Sequence, residues 1–278
     1  RRRGKVLVAF CHYPAAGFHN GADSVISRWA GDKAFNMRRN PPRELTDALQ
    51  KAGIKIHFAG HLHQNNTAVT DNGQGHVMYN IQVPSVSAYM PAYKILTVCG
   101  DSLCRVQTVV LDSVPKFRCL LPRYMSEYRH NLTAGTDTWN TDILYCGDYP
   151  SFCDMHFRAL VASRYVEHEL PSVVCDSIVG MSGSQIIDMT GVKEDPKQSA
   201  AWTGFDLVTD LYRLHFAGSL ALRQIPQWRI RQYEAVLDSL EGKKTEDNKV
   251  LDSLKNICLL IKYFSTGAPD NSFDIRLK

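Results

Sequence analysis

The stretch Val6-Leu7-Val8-Ala9-Phe10 and the later stretch Ile54-Lys55-Ile56-His57-Phe58-Ala59 decide the fold. The first is short and wholly apolar, as in a strand in the middle of a sheet, and the second alternates as a strand does. Between them, Asn40-Pro41-Pro42 is typical of a helix start, and Gly53 suits the end of that helix. We therefore predict a strand over residues 5–10, a helix and a strand over 54–59, which together form the crossover unit of an α/β sheet.

After Gly60 the pattern changes to short strands and turns. Asp71-Asn72-Gly73-Gln74-Gly75 predicts a tight turn, and a β-hairpin is predicted over residues 93–99 and 103–111. Farther on, apolar residues recur with helical spacing in four segments, residues 152–169, 205–223, 228–241 and 248–263. We predict two domains: residues 1–118 with the α/β sheets, and residues 119–278, mostly helical.

Charge and hydropathy argue against two classes, nucleic-acid-binding proteins and membrane-spanning proteins. The chain of 278 residues carries a net charge of +4, and Arg1, Arg2 and Arg3 supply three of those positive charges. This distribution argues against a nucleic-acid-binding protein, which usually shows a basic stripe, but it is compatible with an anionic small substrate. There is no apolar run of about 18 residues and no recognisable signal peptide, so we predict no membrane span, and the compartment is undetermined.

The eight cysteines are spread without any Cys-x-x-Cys pair. They are interpreted as buried or free thiols. In an oxidising compartment, Cys99 with Cys104, or Cys146 with Cys153, would close small disulfide loops.

Three histidines follow the two strands of the crossover unit. His12 ends the first strand, and His61 and His63 come directly after the second, with Gly60 easing their approach to a common point. The carboxyl ends of neighbouring parallel strands meet at one edge of the sheet, where α/β proteins place their ligands. Imidazole is the commonest neutral metal ligand, so we predict a metal site at this edge.

These motifs resemble a known family. A strand followed by His12-Tyr13-Pro14, then a loop and helix, then a strand followed by Gly60-His61-Leu62-His63, is similar to the last two motifs of the calcineurin-like metallophosphoesterase superfamily. The resemblance covers residues 5–111. It implies the C-terminal part of a four-layer α/β sandwich, here followed by a mostly helical domain.

The resemblance also implies a function, namely that of a metal-dependent phosphoester hydrolase. It implies a dinuclear centre of Mn, Zn or Fe, with His12 and His61 on one metal and His63 on the other. A hydroxide would attack phosphorus in a phosphorylated small molecule or another phosphoester. The family's Asp-x-His, Gly-Asp and Gly-Asn-His motifs would precede residue 12. We therefore expect the chain to be a portion of a longer protein whose N-terminal half supplies the catalytic residues, and the portion alone to be nearly inactive.

Other interpretations remain open from the sequence. His19, in Gly17-Phe18-His19-Asn20-Gly21, is interpreted as a solvated loop histidine or as a substrate contact. The chain as a whole could instead be a non-catalytic binding or scaffold module that retains the phosphoesterase fold. A structural metal site is a third interpretation, but it normally needs four closed protein ligands, and the cysteines lack the spacing for it.

Overall fold

The structure, a computed structural model, describes residues 6–136, 138–193 and 196–277, with the side chain of Pro196 excepted. Arg1, Arg2, Arg3 and Lys5, including the predicted start of the first strand, lie outside the described residues. The protein is a mixed α/β structure. Its described strands are β1 Val8–Cys11, β2 Ile56–Ala59, β3 Asn66–Asp71, β4 Val77–Gln82, β5 Ala92–Cys99, β6 Leu103–Val110 and β7 Ser272–Arg276.

Helices occupy much of the remaining chain. The described α-helices are α1 Asp23–Trp29, α2 Arg43–Lys51, α3 Leu121–Ala134, α4 Tyr149–Leu160, α5 Gly183–Thr190, α6 Pro196–Ser199, α7 Gly204–Ala217, α8 Gln227–Leu240 and α9 Lys249–Ser265. Short 3-10 or π segments continue or precede several of them, at Ala34–Arg39, Phe117–Leu120, Thr141–Tyr145, Val161–Val166, Val174–Ile178 and Gly218–Arg223. No helix in the described ranges is both long enough and apolar enough to cross a membrane.

The first sheet has the strand order β1-β2-β4-β3. Strands β1 and β2 are parallel, with Val8 opposite Ile56 and Cys11 opposite Ala59, and α2 connects them. The predicted crossover unit is therefore confirmed. The expectation that its first strand lies buried in the middle of the sheet is wrong, because β1 is at the edge of the described sheet and Phe10 is 75% exposed. Strand β4 continues the parallel order beside β2, and β3 pairs with β4 in antiparallel fashion through the predicted turn.

The second sheet packs against the first. Its order is β5-β6-β7, all antiparallel, and the β5–β6 hairpin was predicted. Ile56, Phe58 and Ile81 of the first sheet form one apolar cluster with Cys104, Val106 and Ile275 of the second. The opposite face of the first sheet contacts the apolar side of α2 through a small cluster around Met78 and Leu49. On the outward face of the second sheet, Tyr93 and Ile95 are exposed, so that face is uncovered at these residues.

The largest hydrophobic core joins both parts of the chain. It combines residues of α1 and the segment around Met90 with residues of α7, α8 and α9. Phe35, for example, stacks on Tyr212 at a centroid distance of 4.8 Å. This core spans the boundary predicted between residues 118 and 119, so the sheets and the helices support each other by direct packing.

The cysteines carry free thiols in the structure. In the β5–β6 hairpin, Cys99 lies opposite Leu103, whereas Cys104 lies opposite Val98. Residues directly opposite share a face of the sheet and successive residues alternate, so Cys99 and Cys104 point to opposite faces. The hairpin register therefore does not suit the disulfide that their spacing allows. The Cys146 thiol instead contacts the Met155 sulfur at 3.2 Å.

A buried polar contact fixes the C-terminal tail. The Lys94 ammonium donates to Asn65 Oδ1 at 2.7 Å, to Thr108 Oγ1 at 2.9 Å and to the carbonyl oxygen of Asp270 at 2.7 Å. Burial lowers the pKa of Lys94 to about 8, although the Asp270 charge opposes this change, and burial raises the pKa of Asp270 to about 6. Both charged groups are thus held in an environment that partly disfavours them.

Replacement of Lys94 tests this environment through the pH dependence of stability. The folded pKa of Lys94 is about 8 against an ordinary 10.5, so between these values the unfolded chain binds more protons than the folded one. Stability therefore rises with pH across this window. We expect the free energy of unfolding of the wild type, relative to Lys94→Met, to rise between pH 8 and 10.5 in urea titrations.

The matched control is Lys262→Met on the exposed side of α9. It should show no such rise. If the difference in free energy of unfolding between wild type and Lys94→Met stays constant with pH, the lowered pKa of Lys94 is contradicted.

Candidate functional site

His12 and His61 lie side by side at the carboxyl edge of the first sheet. Strand β1 ends at Cys11 and β2 ends at Ala59, so each histidine directly follows its strand. The pairing continues past the strands, because the backbone N–H groups of Gly60 and His61 both donate to the carbonyl oxygen of His12, at 3.2 and 2.8 Å. The two histidines are thereby held at the end of the sheet by its own hydrogen-bond ladder.

The side chains of these two histidines are also in direct contact. His61 Nδ1 lies 2.8 Å from His12 Nε2, and the ring centroids are 4.6 Å apart. One nitrogen donates and the other accepts, so at least one ring carries an unprotonated nitrogen in this contact. A Cβ atom on Gly60 would meet nothing within 4 Å, so the approach of the rings does not require glycine there.

Tyr13 and Arg39 complete the exposed surface around the pair. The Tyr13 ring lies 4.3 Å from the His61 ring and 5.1 Å from the His12 ring. The Arg39 guanidinium lies 5.7 Å from the centre of the Tyr13 ring. Sequence reasoning missed both residues. Tyr13 adjoins His12 in the chain, whereas Arg39 reaches the site only because the long loop after His12 returns to it.

The charges around His61 favour its neutral form. The pKa of His61 is lowered, first by loss of solvent contact and then by the positive charges of His12, Arg39 and His63. A neutral imidazole keeps a lone pair available to a cation or to a proton. The same positive surroundings favour an anionic ligand nearby.

His63 is placed differently from the other two histidines. Its side chain is exposed, and its backbone has a φ of 54°, in the left-handed region that non-glycine residues rarely adopt. Among the described residues, no hydrogen bond or ring contact joins His63 to His12 or His61. Nor does the described part of the chain contain a group of three or more His, Cys, Asp or Glu side chains arranged to hold a metal. Of the three histidines of the predicted metal site, the structure thus brings only His12 and His61 into contact.

The residues after His63 anchor the loop that carries His61 through buried hydrogen bonds. Gln64 and Asn65 are fully buried. Gln64 Nε2 donates to His215 Nε2 at 2.8 Å, and Gln64 Oε1 accepts from Gln82 at 3.1 Å. Burial holds the pKa of His215 well below its ordinary value, so its ring is neutral and can accept this bond.

Asn65 ties the same loop to the end of α7. Its backbone N–H donates to the carbonyl oxygen of Phe216 at 2.8 Å, and its side-chain amide donates to the carbonyl oxygen of Ala217 at 3.1 Å. The carbonyl of Asn65 approaches Gly218, where a Cβ would lie only 2.8 Å from that oxygen. With a φ of 53°, Gly218 is required both by the turn and by this close approach. The helical region therefore positions the loop that carries His61.

The interpretation of His19 as a solvated loop histidine is wrong. His19 is fully buried, with Nδ1 2.8 Å from Asp23 Oδ1 and Nε2 2.8 Å from the carbonyl oxygen of Phe35. The hydrogen bond from His19 lowers the pKa of Asp23. Because oxygen atoms of the protein occupy both ring nitrogens, neither nitrogen is available to a substrate in this structure. The glycine-rich flanks of His19 indicate exposure, but the ring is buried and Asp23 at the start of α1 supplies a partly exposed partner for it.

Comparison with known proteins adds no relative. No protein-family model matches the chain, and no curated protein matches its sequence.

Replacing Arg39 tests the electrostatics of the site. Because the Arg39 charge disfavours a second positive charge on His61, we expect Arg39→Gln to raise the pKa of His61 toward its ordinary value. NMR titration of the imidazole resonances measures this directly. Arg38→Gln, an exposed neighbour in the same segment, is the matched control and should change the pKa of His61 less. Equal changes in the two variants would be evidence against the placement of Arg39.

Replacing His63 with Gly tests the backbone strain at that position. Left-handed conformation costs a non-glycine residue about 1–2 kcal/mol, and glycine avoids most of this cost. We expect His63→Gly to raise the free energy of unfolding by about 1 kcal/mol in chemical denaturation. His76→Gly, at a position without positive φ, should lower it. A loss of stability in His63→Gly would show that the side chain makes a stabilising contact instead.

Proposed function

We propose that this chain is part of a metal-dependent phosphoester hydrolase of the calcineurin-like type. In this proposal, His12 and His61 ligate one metal of a dinuclear centre and His63 ligates the other. The metals would be Mn, Zn or Fe. An N-terminal half of the same protein would complete the four-layer sandwich and supply the carboxylate and asparagine-histidine motifs. The substrate would be a phosphorylated small molecule or another phosphoester.

The observation that carries the proposal is the contact between His12 and His61. Two imidazoles 49 residues apart in sequence meet at 2.8 Å, at the carboxyl ends of adjacent parallel strands. This edge is where α/β sheets place ligands. His12 is exposed and His61 is half-buried, so a ligand from solvent can reach the pair.

The two contacting histidines provide part of the ligand set of one metal. Metal–nitrogen bonds of about 2.0–2.1 Å put two neighbouring ligand nitrogens roughly 3 Å apart, close to the separation of the two imidazole nitrogens. The lowered pKa of His61 favours its neutral form, in which one ring nitrogen carries a lone pair. The described residues add no carboxylate to this pair, so the ligand set is incomplete and we expect metal binding by this chain alone to be weak.

Within the proposal, each residue of the chain has a definite task. A two-metal centre supplies a nucleophile at neutral pH and neutralises charge on phosphoryl oxygens. His12 and His61 would hold one cation at the sheet edge, and the buried Gln64 and Asn65 would keep the His61 loop in place. Arg39 would attract the anionic phosphoester into the site, since its guanidinium lies on the exposed surface next to Tyr13.

The second candidate function is a non-catalytic scaffold that retains the fold without working metals. The isolated position of His63 favours it, because the backbone turns this residue out to solvent without a contact to the histidine pair among the described residues. Histidine-dependent metal binding separates the two candidates, since a scaffold of this kind should show none.

Calorimetric titration with Mn²⁺ or Zn²⁺ tests the proposal. We expect His12→Ala and His61→Ala each to weaken metal binding about tenfold or more, because each removes one of the two adjacent nitrogen ligands. His168→Ala is the matched control, since His168 is exposed on the helical side with a side-chain exposure of 69%. In the full-length protein, the first two variants should also abolish hydrolysis of an aryl phosphate.

Two results would overturn the proposal. If His168→Ala weakens metal binding as much as His61→Ala does, any surface histidine is sufficient for that binding. A full-length protein that binds metal through these histidines but hydrolyses no phosphoester with any of the metals would be a metal-binding scaffold.

A further inference from the structure

A cavity distant in sequence from the histidines opens among the helices after the second sheet. It has a volume of about 680 Å³ and lies between α3, the segment that follows it, and α4. Pockets for small molecules measure roughly 300–1,000 Å³ and are mostly apolar with a few polar groups. This cavity has that size and that kind of lining.

Besides Phe205 of α7, three aromatic side chains from three other elements line the cavity. They are Tyr124 of α3, Trp139 of the following segment and Phe152 of α4. The rings of Tyr124 and Trp139 meet edge to face at 6.4 Å. All three side chains are partly exposed, so their rings are only partly covered by protein. The faces of tryptophan and tyrosine rings attract cations.

Glu127 and Arg158 are the acidic and basic side chains of the lining, and of these only Glu127 has no ion-pair partner among the described residues. Arg158 is already engaged, because its guanidinium donates to Asp206 at 3.0 Å and lies 5.0 Å from the centre of the Phe205 ring. Loss of solvent contact lowers the pKa of His156, whose ring packs against Phe152, and so favours its neutral form. Glu127 takes part in none of the ion pairs formed by the described residues. Its carboxylate is exposed.

The lining also distinguishes between kinds of cation. A primary ammonium needs three hydrogen-bond acceptors, whereas a quaternary ammonium has no N–H to satisfy. Apart from the Glu127 carboxylate the lining offers few side-chain acceptors, and the Asn140 side-chain oxygen already accepts from the backbone N–H of Asp142 at 2.8 Å. A cation surrounded by methyl groups therefore suits these walls better than a bare ammonium does.

We propose that this cavity binds an organic cation of the quaternary ammonium class, with its charged group against the rings of Tyr124 and Trp139 and close to the Glu127 carboxylate. This site is independent of the proposed phosphoesterase function. It uses none of the residues around His12 and His61.

Benzyltrimethylammonium, its neutral carbon isostere neopentylbenzene and the anion benzenesulfonate are the probes that test the charge requirement. We expect the cation to bind about tenfold more tightly than the neutral isostere, and the anion to bind least, in calorimetric or tryptophan-fluorescence titrations. The exposed position of Glu127 allows Glu127→Gln without loss of the fold, which circular dichroism checks. This variant should weaken binding of the cation about fivefold and leave the neutral isostere unchanged.

The matched control is Glu234→Gln on the exposed side of α8, which should bind all three probes as the wild type does. Equal affinity for the cation and the neutral isostere would overturn the proposal in favour of a general apolar pocket. Preferred binding of the sulfonate, or no binding of any probe to the folded protein, would overturn it as well.

Discussion

The arrangement of the site depends on how the loop after β2 is held at both ends. In front, the backbone N–H of His61 bonds to the carbonyl oxygen of His12 at 2.8 Å, which extends the β1–β2 ladder beyond its last strand residue. Behind, Asn65 is fully buried and bonded to Phe216 and Ala217 at the end of α7. Buried amide groups cost free energy unless they are hydrogen-bonded, so this anchor permits few alternative loop conformations. The backbone position from which the His61 side chain extends is consequently fixed.

Electrostatics then determine what such a fixed pair of imidazoles can do. Loss of solvent contact, and then the charges of His12, Arg39 and His63, lower the pKa of His61 and so favour its neutral ring. The Arg39 charge also disfavours a free metal cation, and among the described residues no carboxylate joins the group to offset it. Tight metal binding at this edge therefore needs negative ligands from elsewhere. The Arg39 charge favours an anion at this edge, and in the proposed function a phosphate group bound together with a cation would take that place.

Much of the fold could be predicted because its central elements have local signals. The apolar run ending at Phe10, the helix start at residues 40–42 and the alternation through Ala59 predict the parallel β1–β2 pair correctly. Strand β7 was not predicted, although Ser272–Arg276 alternates polar and apolar residues as a half-buried strand does. The strand has only five residues, and its partner β6 lies more than 160 residues earlier, as the Arg105–Asp274 ion pair shows. Neither the contacts of Asn65 with α7 nor the burial of His19 could be predicted, because both depend on partners that only the folded chain brings close.

The helical part of the chain bears directly on the site, although it contributes no residue to the histidine pair. His215 accepts a hydrogen bond from Gln64, and its ring lies parallel to that of His19 at 5.9 Å. Because the core of α7 to α9 also includes Phe35 and Tyr212, the loop that carries Arg39 rests on the same helices. A change in the packing of α7 would therefore move both walls of the site, the one with His61 and the one with Arg39. The helices after residue 118 thus act as the support that holds the site in its geometry.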